Sequence, residues 1–119
     1  MAYVDGFVLP VPKKNLEAYA RMARKAGKIW KEYGALEFRE CVGDDIAVKE
    51  VRPFADLVDL KRGETVMFSY IVYKSRAHRD RVNAKVMKDP RLAKMMDAGS
   101  MPFDVTRMSM GGFKVLVDL

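Results

Sequence analysis

The sequence contains very little cysteine and histidine. Its 119 residues include a single cysteine, Cys41, and a single histidine, His78. One cysteine excludes an intrachain disulfide and indicates a reducing compartment, and we interpret Cys41 as an unreactive strand residue. One soft ligand of each kind is too few for a zinc site. Glu40, Asp44 and Asp45 could bind a hard cation, although Gly-Asp-Asp is equally typical of a turn, so we expect no metal.

Long hydrophobic runs are also missing. The apolar stretch near the N-terminus, YVDGFVLPV, is too short for a signal peptide or a membrane span, and no basic region precedes it. We therefore expect a cytoplasmic protein without a membrane partner. The sequence also lacks a P-loop, a GxGxxG and a GxSxG motif, so it names neither a substrate nor a reaction.

The residues that are present fit one domain spanning 1–119. Four β-rich stretches are predicted as strands. Apolar residues at three- and four-residue spacing predict a helix between the first two strands, ended by Gly34. Ser75 is a predicted N-cap for a second long helix, which Pro90 cannot continue. A short helix ended by Gly99 is predicted after it. The predicted strands cover Tyr3–Val11, Ala35–Gly43, Glu64–Tyr73 and about 107–118.

The order β-α-β-β-α-β predicts a ferredoxin-like α+β fold, in which helices cover one face of a four-stranded antiparallel sheet. The last strand is expected to pair with the first. The third predicted strand is apolar on both faces, with Phe68 and Tyr70 on one face and Met67 and Ile71 on the other. Helices cover only one of these faces, so we expect a homodimer.

The net charge of +6 admits a nucleic-acid partner, and RNA-recognition domains share this order of elements. Their third strand carries a basic-glycine-aromatic signature that stacks bases. Here Arg62 and Gly63 are followed by Glu64 and Thr65. We therefore expect no nucleic-acid partner, and only weak, salt-dependent binding.

Three glycines lie on the two strands that are expected to pair, namely Gly6, Gly111 and Gly112. Glycine inside a strand marks a bulge or a place where another group approaches closely. We expect packed protein to fill the resulting gap, so the last strand closes the sheet and any site borders it through Arg107.

Several segments resemble one family over nearly the whole chain: YVDGFV, GALEFRECVGDD, VMFSYIVYKSRAHRDRVNAKVMKDPR and MPFDVTRMSMGGF. They are similar to the YbaA-like family of small bacterial proteins of unknown function, in the dimeric α/β-barrel superfamily. The resemblance implies the fold and a homodimer but no activity. Because superfamily relatives include antibiotic-biosynthesis and haem-dependent monooxygenases, an oxygenase is the alternative to a small-molecule-binding protein.

Polar residues within these segments are the candidate ligand-binding residues. Arg79 and Asn83 are four residues apart and share a helix face, where they could meet the strand carboxylates Asp5 and Glu40. Such a group could hold a polar or anionic small molecule, or it could be a buried network that only fixes helix against sheet, which we favour. The candidates are Asp5, Glu40, His78, Arg79, Asn83 and Arg107.

His78 could bind haem, because haem-degrading relatives carry a histidine on the corresponding helix. Those relatives also have an asparagine and a tryptophan on strands, whereas here the first strand offers Asp5 and the sole tryptophan, Trp30, lies on the first helix. We therefore expect no cofactor and interpret His78 as structural. Met22, Met67 and Met87 are interpreted as core residues.

Overall fold

A computed structural model describes residues 1–97 and 101–119 of the protein. Its four strands form one antiparallel sheet in the order β2-β3-β1-β4. This topology confirms the predicted ferredoxin-like α+β fold and places the last strand beside the first. The strands are β1, Tyr3–Pro12; β2, Glu37–Val42; β3, Glu64–Tyr73; and β4, Ser109–Lys114.

The helices of the described residues are α1, Leu16–Glu32; α2, Phe54–Leu57; α3, Arg76–Met87; and α4, Pro90–Met95. The single turn of α2 lies in the connection between β2 and β3, as predicted. None of these helices combines the length and the apolar composition that crossing a membrane would require.

The predicted helix limits at Gly34, Ser75 and Pro90 are confirmed. Gly34 follows α1 with φ at 114°, a conformation that glycine adopts without strain. The hydroxyl of Ser75 accepts a hydrogen bond from the backbone N–H of His78 and caps α3. Pro90 begins α4, where its missing N–H costs nothing. The expected end of that helix at Gly99 lies outside the described residues.

Two prolines are accommodated within β1 because the sheet narrows there. Over Tyr3–Val8, β1 pairs with both β3 and β4, but Pro10 and Pro12 pair with β3 alone. A proline lacks the N–H that a central position needs, and it is tolerated where one side of the strand has no neighbour.

The core lies between the sheet and the helices in two clusters. One contains Tyr73 together with Val82 and Val86 of α3. The other contains Leu9 of β1 and Tyr19 of α1. Half-buried Phe7 packs against both clusters, so the space beneath α1 is bordered by apolar residues on two sides.

The opposite face of the sheet is apolar and largely uncovered, as the two-sided pattern of β3 predicted. Phe68 remains 44% exposed and Phe113 61% exposed. The connection that carries α2 covers one corner, where the rings of Phe54 and Phe68 meet edge to face at 6.0 Å and Val66 is buried. We call the uncovered remainder the open sheet face; it includes Val4, Phe68, Val72 and Phe113.

The predicted bounds of β4 were wrong at both ends. Arg107 belongs to a 3-10 turn before the strand, which the side chain of Asp104 begins by accepting the N–H of Thr106 at 3.0 Å. At the other end, the backbone N–H of Val115 donates to the carbonyl of Ala2, and β4 ends because β1, the strand with which it pairs, begins there.

Candidate ligand-binding site

A cavity of about 310 Å³ lies between the sheet and the helices. Phe7, Leu9 and Ile71 of the sheet form part of its floor, and Trp30 of α1 forms part of its roof. This wall is predominantly apolar, as expected for a site that binds a small molecule.

Methionine is the most frequent residue type on the cavity wall. Seven of the nine methionines line the cavity. The interpretation as core holds for Met67, which is buried against Leu9, and for Met22, which packs against the same cluster. It was wrong for Met87, which is 61% exposed. Thioether side chains are flexible and polarisable, so they adapt to the shape of a ligand. The lining methionines are Met22, Met87, Met95, Met96, Met101, Met108 and Met110.

Asp5 provides a carboxyl group at one end of the cavity, and its side chain is only 5% exposed. Arg79 approaches it from α3, with Nε 3.8 Å from Oδ1 of Asp5. The same guanidinium donates to the hydroxyl of Tyr3 at 3.0 Å and lies over its ring. Burial raises the pKa of Asp5, although the positive charge of Arg79 opposes that shift.

Asn83 joins three elements beside Asp5. Its side-chain oxygen accepts hydrogen bonds from Nε1 of Trp30 at 3.0 Å and from the hydroxyl of Tyr73 at 3.1 Å. Burial, aided by the negative charge of Asp5, raises the pKa of Tyr73, which therefore stays a neutral donor. The arrangement fixes α1 and α3 against β3 while leaving polar groups on the cavity wall.

Glu40 of β2 provides a second carboxyl group on the wall. The hydroxyl of Tyr19 donates to its Oε1 at 2.7 Å. Burial raises the pKa of Glu40, and the hydrogen bonds with Tyr19 and Ser69 oppose this rise. Across residues 1–97 and 101–119, Glu40 forms no ion pair with a lysine, arginine or histidine.

The fold thus brings together four of the six candidate residues. Asp5, Glu40 and Asn83 line the cavity, and Arg79 forms an ion pair with Asp5 without lining the cavity itself. The expectation that Arg79 meets a strand carboxylate is met at Asp5. The network that the sequence analysis favoured is present, and three of the candidate residues also line a cavity.

His78 and Arg107 lie away from the cavity. Nδ1 of His78 accepts the backbone N–H of Lys74 at 3.0 Å, and burial lowers the pKa of the imidazole. The guanidinium of Arg107 pairs with Glu64 and donates to the carbonyls of Val58 and Asp59. Arg107 therefore ties the end of the β2–β3 connection to the turn before β4.

Sequence reasoning missed Tyr19, Trp30 and Tyr73 as site residues. Tyr19 and Trp30 belong to the apolar stripe of α1, which indicated that they face the sheet but not that a cavity separates them from it. Within the described ranges, no cluster of three or more histidine, cysteine, aspartate or glutamate side chains could hold a metal ion.

The fold defines a ferredoxin-like α+β protein with a cavity between its sheet and its helices. A similar structure is that of a dimeric ferredoxin-like protein from an uncultured marine organism, with a TM-score of 0.60 and 14% identity, covering 99% of this chain and 98% of the other. A second is a mutant of SnoaB, a cofactor-independent oxygenase from Streptomyces nogalater, with a TM-score of 0.57 and 14% identity over 99% of this chain and 96% of the other.

Sequence comparison gives the family. Residues 2–105 match the family described as "Protein of unknown function (DUF1428)". The chain is 44% identical over 118 residues to the uncharacterized protein YbaA of Escherichia coli K12, covering 99% of both proteins, and the match to YbaA of Shigella flexneri is the same. The chain therefore belongs to this YbaA-like family, as its sequence segments indicated.

Proposed function

We propose that this protein is a homodimer that binds a small, largely apolar molecule in the cavity between its sheet and helices. One observation carries the proposal: a cavity of about 310 Å³ has apolar walls and separate polar groups around Asp5 and Glu40. Apolar walls supply affinity, and a few fixed polar groups orient the ligand.

The size of the cavity argues against a packing defect. Protein interiors contain few voids larger than a water molecule. Small-molecule sites start at roughly 300 Å³, which is the size of this cavity. Its rim carries Met87, Met96 and Met110, each at least half exposed, so a ligand has a route from solvent.

The open sheet face supports the dimer. Val4, Phe68, Val72 and Phe113 share this face, and a second copy would bury them by isologous pairing. A structural relative is described as dimeric, and it shares the fold with this chain.

Cys41 is a free, exposed thiol on the open sheet face, which suits a reducing compartment such as the cytoplasm.

The binding proposal is tested by native mass spectrometry of freshly purified protein, and by calorimetric titration with tryptophol, a small neutral aromatic alcohol. Ala26 lines the cavity, so Ala26→Phe should fill it and abolish binding. Ala84 is exposed on α3 and lines neither the cavity nor the groove beside it, and Ala84→Phe is the matched control that should bind like the wild type. The proposal is wrong if no small molecule binds the folded wild type, or if both variants bind it equally well.

An oxygenase that needs no cofactor is the second candidate. Its support is a pair of carboxyl groups, buried Asp5 and partly buried Glu40, whose raised pKa values make each a stronger base for a phenolic or enolic substrate. SnoaB shares only the fold, so its activity does not transfer by itself. Oxygen uptake with phenolic substrates, lost in Asp5→Asn or Glu40→Gln, would establish this activity, and its absence from the wild type would exclude it for those substrates.

A further inference from the structure

The two carboxyl groups of the cavity have different partners. Asp5 has Arg79 beside it, with 3.8 Å between Nε and Oδ1. Glu40 has the hydroxyl of Tyr19 as a hydrogen-bond donor, and no cation forms an ion pair with it in the described part of the chain. The cavity wall therefore holds one carboxylate with a positive partner and one without.

The side chain of Glu40 is partly buried, so its carboxylate has lost part of its water without gaining a cation in return. A ligand that brings its own positive charge to Glu40 would replace the lost interaction with a charge-assisted hydrogen bond. From this asymmetry we infer that the cavity selects ligands carrying a cationic nitrogen, placed against Glu40. The inference rests on the proposed binding function and specifies its ligand class as aromatic amines.

The walls near Glu40 suit the aromatic part of such a ligand. Tyr19, Trp30 and Phe38 all line the cavity, and the rings of Trp30 and Phe38 lie 6.0 Å apart. Aromatic faces attract a cation that lies over them, and thioethers make favourable contacts with aromatic rings. One ligand can therefore use the carboxylate, the rings and the methionines together.

A basic groove on the outside of the protein offers the opposite chemistry. Arg24, Lys28 and Lys31 of α1 line it, and it meets the cavity at Phe38 and Glu40. The ammonium group of Lys31 is already bonded to the carbonyl of Leu36. An anionic ligand would be drawn to this groove, so the experiment must compare charges of both signs.

Three indoles of similar size make that comparison. Tryptamine is cationic, tryptophol is neutral and indole-3-propionate is anionic at neutral pH, and each is titrated into the wild-type protein by calorimetry. We expect tryptamine to bind about tenfold more tightly than tryptophol, and indole-3-propionate to bind more weakly than either.

Glu40→Gln tests the residue responsible. Glutamine keeps an oxygen that can accept the Tyr19 hydroxyl, so the fold should persist while the charge is lost. The tenfold preference for tryptamine should disappear in this variant. Glu17→Gln is the matched control, because Glu17 is exposed on α1 and lines neither the cavity nor the basic groove. This control should keep the wild-type preference.

The possible outcomes distinguish failure of the charge preference from failure of ligand binding itself. If tryptophol binds as tightly as tryptamine to the wild type, the charge inference is overturned and the binding function stands. A preference for indole-3-propionate also overturns it and locates recognition in the basic groove. Failure of all three indoles to bind, with nothing retained on purification, overturns the binding function as well.

Discussion

The hydroxyl group of Tyr3 occupies the volume that a side-chain carbon on Gly112 would need. The same carbon would lie 2.9 Å from Nη2 of Arg79, which donates to that hydroxyl. Gly112 thus makes room for the Tyr3–Arg79 pair that supports Asp5. At Gly111, an added carbon would lie 3.7 Å from the ring of Phe113, which is ordinary contact.

Alanine substitutions should therefore separate the two neighbouring glycines. Gly112→Ala is expected to lower the free energy of unfolding by roughly 1–3 kcal/mol, because Tyr3 or the strand must shift. Gly111→Ala should cause no such loss. Urea unfolding of both variants measures the difference, and equal stabilities would show that the strand absorbs the extra carbon at either position.

The proposed homodimer should appear in light scattering at micromolar concentration as a molar mass twice the 13.6 kDa of one chain. Phe113→Asp places a charge on the open sheet face and should give monomers, because burying an unpaired carboxylate is costly. Arg21→Asp, on the exposed side of α1, is the control and should remain dimeric. A wild-type monomer would refute the assembly proposed for this face.

Glu40 should make the protein less stable as the pH rises. Its folded pKa is raised above the ordinary 4.5 by burial, so the folded state holds this proton more tightly than the unfolded chain does. The free-energy cost of holding ionised Glu40 in the folded state is absent below pH 4.5 and complete above the raised pKa. Glu40→Gln removes it and should be more stable than the wild type at about pH 7, with a difference that vanishes in acid.

Urea unfolding of both proteins across this pH range measures the effect. Asp5, whose pKa is also raised by burial, remains in both proteins and cancels from the comparison. A Glu40→Gln variant that is less stable at neutral pH would mean that ionised Glu40 is stabilised by its surroundings.

Haemin is expected to give no Soret shift that depends on His78. Nδ1 of His78 is engaged by Lys74, and Nε2 lies 3.3 Å from the position of a side-chain carbon on Gly34, so both ring nitrogens face the chain. Haemin titration of the wild type and of His78→Ala is the measurement. A stoichiometric Soret band that His78→Ala removes would instead assign a haem site to α3.

The sequence predicted most accurately the elements whose first and last residues are determined by their neighbours in the sequence. The bounds of β3 were predicted to the residue because Gly63 precedes a run that is apolar on both faces. The limits of β4 are set elsewhere: by the reach of β1, and by the bonds of Arg107 to Glu64 and to the β2–β3 connection. No local pattern contains that information.

The candidate site shows the same difference between residues placed by local sequence and residues placed by tertiary packing. Arg79 and Asn83 were identified from their helical spacing, which fixes a shared face. Tyr19 and Glu40 are 21 residues apart in sequence, and they meet because α1 packs over β2. The sequence indicates that Tyr19 faces the sheet, but which strand residue receives its hydroxyl depends on how the layers pack.

The concentration of methionine around one cavity gives the protein built-in spectroscopic probes. Seven of nine terminal methyl groups belong to residues of its wall, while Met67 lies in the core and Met1 is exposed. In protein grown with ¹³C-methyl methionine, most of the labelled resonances would report on occupancy of this single space. Met67 and Met1 would serve as internal references in the same spectrum, so ligand screening needs no attached fluorophore.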